Sequence, residues 1–171
     1  SNFLSISFRK EKFDDFNELI GKLESEKPIN THHQKILFQR LLQFKLLYRI
    51  NFGIIDDAEA LAKQVEEGLG RFSIALSTEK VLIMNIAILL FIAEKFNLCL
   101  EWSDKIMTRT KDKVRLDINR GIYFIKLVSS YEIGEFEILD NVTRSANRFF
   151  NKEKSQHLPY FLKFLSQFRI V

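Results

Sequence analysis

The chain has 171 residues, enough to bury a sizeable core, and 46% of them are hydrophobic. Seventeen Phe beside six Gly and two Pro leave few turn formers, which argues against a β-sandwich or barrel and for long helices on short connections. A net charge of +4 is too small to mark the whole chain as a polyanion binder, and the single cysteine, Cys99, excludes an intramolecular disulfide.

In chain order, Phe3 to Phe8 reads as the tail of an apolar helix, and Phe13-Asp-Asp-Phe-Asn-Glu-Leu-Ile opens an amphipathic one. After Pro28-Ile-Asn-Thr31, where Asn30 or Thr31 can cap, a longer and greasier helix is expected over His33 to Asn51. Gly53 marks a turn, and Ile55-Asp-Asp-Ala-Glu-Ala-Leu-Ala repeats the amphipathic opening. The next long helix spans Thr78 to Lys95. Its apolar run, Val81 to Ala93, is 13 residues broken by Asn85 and flanked by Glu79-Lys80 and Glu94-Lys95. A spanning helix needs about 17 to 25 residues, so this one is expected to be buried in protein. With Asn97 near the turn, Phe96-Asn-Leu-Cys-Leu-Glu-Trp-Ser follows; then come a long helix over Lys113 to Ile133, a tight turn at Gly134, Phe136-Glu-Ile-Leu-Asp-Asn-Val-Thr, and a last helix over Gln156 to Phe168 that would cap the stack.

The four amphipathic openings recur with periods of 42, 41 and 40 residues. Each begins with a large apolar residue, continues with acidic or amide residues suited to a helix's first turn, and places apolar residues three and six positions on: Phe16 and Leu19, Ala58 and Leu61, Cys99 and Trp102, Leu139 and Val142. Long first-type helices thus alternate with shorter second-type helices. Such hairpins bury their apolar faces only by stacking, which predicts one all-α superhelical domain over 1–171, of about four hairpins and seven to eight helices.

The stretch Asn85 to Ile106 resembles the tetratricopeptide repeat (TPR). Ala87 stands where that family has a small residue in its first helix, Phe96 is similar to its turn aromatic, Cys99 to the alanine of its second helix, and Ile106 falls on the alanine near that helix's end. Leu127, Phe136, Leu139 and Ala146 take those places in the fourth copy, with Leu replacing two small residues. The period exceeds the family's value of about 34 and the closing proline is missing, so the likeness is TPR-like rather than strict. Ser130 to Phe150, with Phe161-Leu-Lys-Phe-Leu165, is similar to the C-terminal part of large uncharacterised bacterial TPR-like proteins, which implies a natural protein longer at its N-terminus.

The resemblance implies that first-type helices line a concave surface carrying Gln43, Leu47, Met84, Asn85, Ile88, Phe91, Phe124, Val128 and Tyr131. An apolar surface of that kind suits an amphipathic helix or an apolar peptide anchor. The same residues would equally serve as core in a tightly wound stack. Asn85, alone among apolar neighbours, would either bond a ligand backbone or be satisfied by an adjacent helix. Arg144, Arg148 and Lys152 recur every four residues and form a basic patch, in a region from Asn141 onward that has six cations against one acid, Glu153. It reads as a solvated helix face or as a contact for an acidic partner.

His32-His33 point apart and lack a third ligand at metal spacing, Cys99 lacks a CxxC partner and occupies a slot for a small residue, and the pairs Asp14-Asp15 and Asp56-Asp57 recur at equivalent helix starts, as capping and dipole features do. No metal, cofactor or catalytic residue is therefore expected, and the chain reads as a non-enzymatic scaffold in the cytoplasm, without membrane contact, binding a protein or peptide or a second copy of itself. The alternative is a peptide-sensing regulatory domain of a transcription regulator or another nucleic-acid-associated protein. Direct nucleic-acid contact by this segment is not expected, because no helix-turn-helix or base-stacking motif is present.

Overall fold

A computed structural model describes residues 13–108 and 115–152 together with Tyr160, Lys163 and Phe164. Seven helices follow one another among the described residues: α1 (Phe13–Ser25), α2 (Thr31–Phe52), α3 (Ala58–Arg71), α4 (Leu76–Ile92), α5 (Phe96–Met107), α6 (Leu116–Glu132) and α7 (Phe136–Lys152). The structure is an all-α stack in which each helix packs on its neighbours in sequence. The long helices α2, α4 and α6 also pack side by side, as in a helical solenoid.

The turns that join the long helices to the short ones explain the period. Gly53, Glu94 and Gly134 all take the left-handed conformation, with φ of 63, 56 and 73°. At each, the following N–H reaches back five residues: Ile54 to the Arg49 carbonyl (3.0 Å), Lys95 to Leu90 (2.9 Å) and Glu135 to Ser130 (3.0 Å). This is the Schellman closure, which satisfies carbonyls that a helix end leaves orphaned. The turn expected in the neighbourhood of Asn97 is centred on Glu94, with Asn97 in the first turn of α5, and it uses a glutamate where the other two turns use glycine.

Equivalent positions in the copies share the same fate. Leu46, Ala87 and Leu127, spaced as the turns are, are all fully buried, as are Val65, Ile106 and Ala146 on the second helices of the hairpins, although α7, at 17 residues, is as long as α4 and α6 and not shorter as expected. The expected apolar pairs Ala58 and Leu61, Cys99 and Trp102, Leu139 and Val142 are buried as well. Each aliphatic side chain removed from water contributes about 1.5–3 kcal/mol. One core cluster runs through α2 to α6; a second, around Leu127, Val142 and Phe150, joins α6 to α7, and Ile20 ties α1 to α2. The Phe16 and Leu19 side chains, residues 3–8 and most of the span 156–168 lie outside the described residues.

Two helix starts differ in detail from expectation. Asn30 does cap α2, its Oδ1 accepting from the His33 N–H at 2.8 Å. Asp57, at the start of α3, makes no capping bond, because its Oδ2 is held by the Arg49 guanidinium at 2.6 Å. At the start of α6, Arg115 takes a left-handed φ of 57° and grips Asp117 through two nitrogens, at 3.0 and 2.7 Å. That guanidinium holds the Asp117 carboxyl below the usual carboxylate range.

Candidate functional site

Side-by-side packing of α2, α4 and α6 places equivalent residues of the three helices in rows. Gln43, Met84 and Phe124 form one row and Leu47, Ile88 and Val128 the next; all six are half-buried. Phe91 and Tyr131 continue the surface toward the helix ends, with Tyr131 exposed.

The members of the first row do different things. The Met84 methyl stands 2.7 Å from where a Cβ on Gly121 would be, so α4 and α6 close on each other there. Phe124 meets the rings of Phe150 (6.2 Å) and Phe164 (5.1 Å) edge-on, which draws it toward α7. Phe91 packs against the main core and the edge of Phe96. Among the described residues, Leu47, Ile88 and Val128 by contrast belong to none of the three core clusters and form an aliphatic strip across three helices. Asn85 borders it at 8% exposure, and its Nδ2 is buried without a hydrogen-bond partner.

On α7, Arg144 is paired with Asp140 (2.8 Å) and donates to Asn141 Oδ1 (3.0 Å), while Arg148 donates to the Ser145 hydroxyl at 3.4 Å. Both arginines and Lys152 are exposed. The arginines, with Asn141, Ser145 and Asn147, border an open surface hollow of about 700 Å³.

Cys99 is fully buried between three helices. Its Sγ donates to the Ala87 carbonyl (3.3 Å) and accepts from the Ser129 hydroxyl (3.5 Å). Burial pushes the thiol up from its ordinary value, and the Ser129 and Ser103 contacts oppose this only in part. In His33, Nδ1 accepts from the Ile29 N–H and Nε2 faces Glu26, both at 3.2 Å, so both ring nitrogens are engaged. Among the described residues no group of three His, Cys, Asp or Glu side chains could hold a metal ion, and no helix is long and apolar enough to cross a membrane.

Comparison with protein-family models, curated proteins and solved structures finds no match. What the chain does must therefore be read from its own residues. Three features escaped sequence reasoning. Asn119 is wholly buried on α6 with neither its Nδ2 nor its Oδ1 hydrogen-bonded. The Phe38 ring lies 1.8 Å from where a Cβ on Gly68 would stand, seating α2 on α3. Glu94 occupies a glycine-type turn. Its equivalence to Gly53 and Gly134 was present in the 41- and 40-residue spacing.

Proposed function

We propose that the protein is a non-catalytic, TPR-like scaffold that binds a protein or peptide segment on the face made by α2, α4 and α6. The observation that carries this reading is the strip of Leu47, Ile88 and Val128: three aliphatic residues at one register, half-buried and outside the core clusters. A row of that kind binds by shedding water from apolar area, which needs little directional matching. Gln43 borders it and supplies an amide group through which a ligand backbone can be held, and Asn85 lies beneath its edge with a buried donor. Buried small or aliphatic residues at the equivalent positions 46, 87 and 127 support the TPR-like description.

Selection of displayed random peptides on the full chain tests the proposal. Peptides chosen by the wild-type chain are expected to bind Ile88→Gln and Val128→Gln at least about tenfold more weakly, while both variants retain the wild-type circular dichroism and cooperative unfolding. Selected peptides that bind both folded variants as well as wild type would exclude this face as the binding surface.

A further inference from the structure

The carboxyl ends of α2, α4 and α6 come together on one edge of the stack. Lys95, in the second turn, pairs with Glu59 beside the first (3.1 Å), and Ser129, near the third, bonds Cys99 beside the second (3.5 Å). Along this edge large apolar side chains are partly exposed: Phe52 and Tyr131 are 43% exposed, Ile55 and Ile92 38%, and Phe136 54%. They recur at all three turns and so form a line rather than scattered surface residues.

The edge is also acidic. Its cations Arg49 and Lys95 are committed to Asp57 and Glu59. Glu94 and Glu132 are exposed; Glu132 ends α6, where the helix dipole disfavours negative charge, while Glu94 lies between the end of α4 and the start of α5. Glu94 further occupies a left-handed position that the two equivalent turns give to glycine. Exposed acids beside part-exposed apolar residues make this edge a surface suited to a basic, apolar contact.

We infer that this turn edge is a docking strip for a basic, apolar-anchored peptide segment, its cations meeting Glu94 and Glu132 and its apolar side chains seating on Ile92, Tyr131 and Phe136. The strip adjoins the aliphatic row described above, sharing Tyr131 with that surface, but it is argued from the turns and does not depend on that row's role. Adjacent helices lie about 8–10 Å apart, so three turns span about 16–20 Å, which about six extended residues cover.

The test titrates the full chain with a fluorescein-labelled peptide of about eight residues, alternating lysine with leucine or phenylalanine, and with its lysine-to-glutamate counterpart. The basic peptide is expected to bind in a salt-sensitive manner and the acidic one not to bind. Glu94→Gly should weaken binding about threefold and Glu94→Gly with Glu132→Gln about tenfold, without loss of thermal stability. Phe136→Ser should weaken it about tenfold. Absence of binding, equal binding of both peptides, or full affinity in the folded double variant would overturn the inference. Concentration-dependent self-association abolished by Phe136→Ser, without peptide binding, would assign the edge to a second copy and overturn it too.

Discussion

Replacing Glu94 by glycine should stabilise the protein, and replacing Gly134 by alanine should destabilise it by a similar amount. Both residues sit in left-handed turns, with φ of 56 and 73°, closed by the same backward hydrogen bond. Nothing lies within 4 Å of a Cβ built on Gly134, so its substitution tests backbone conformation alone. A side chain in that conformation costs about 1–2 kcal/mol, and the loss of glycine's freedom in the unfolded chain offsets about 0.4–1 kcal/mol. The difference predicts a gain of about 0.5–1 kcal/mol for Glu94→Gly and an equal loss for Gly134→Ala. For a chain of this size that is a shift of about 2–3 °C in Tm, upward for the first variant and downward for the second. Urea unfolding followed by circular dichroism, with an unchanged m-value, measures both. A destabilised Glu94→Gly, or a neutral Gly134→Ala, would refute the equivalence of the turns.

Three further outcomes are expected. Asn119→Leu keeps the number of side-chain heavy atoms and removes two buried polar atoms without partners, so it should raise stability by about 1–2 kcal/mol in the same urea assay. Gly68→Ala forces a methyl into the Phe38 ring and should cost about 1–3 kcal/mol, despite alanine's better helix propensity. The buried Cys99 thiol should react with a thiol reagent only through unfolding, at a rate that rises with added urea. Because its pKa is raised on folding, its contribution to stability is intact below the ordinary thiol value of 9.0 and is lost as pH rises through the folded value; Cys99→Ala should flatten stability above pH 9.0.

The proposed binding face was legible in the sequence only as a set of positions. The TPR resemblance implied one surface for Gln43, Met84 and Phe124, yet their neighbours divide their roles: Met84 closes on Gly121 and Phe124 turns to Phe150. Leu47, Ile88 and Val128 share a row too, and no local pattern separates them from core. That separation depends on how far each helix rotates against the next, which the apolar spacing within one helix does not encode.

The sequence by itself determined the helices, their order and the positions buried in every copy, because an apolar residue at fixed register must find the same stacked neighbour each time the unit recurs. It also contained the equivalence of positions 53, 94 and 134, though composition pointed to Asn97 for the middle turn. Only the tertiary structure decided that a glutamate holds a left-handed turn, that Asn119 is sealed in without a partner, and that the exposed residues of three turns line one edge. Burial, strain and alignment of these groups arise from the approach of helices about forty residues apart in the chain, and local propensity is blind to contacts at that range.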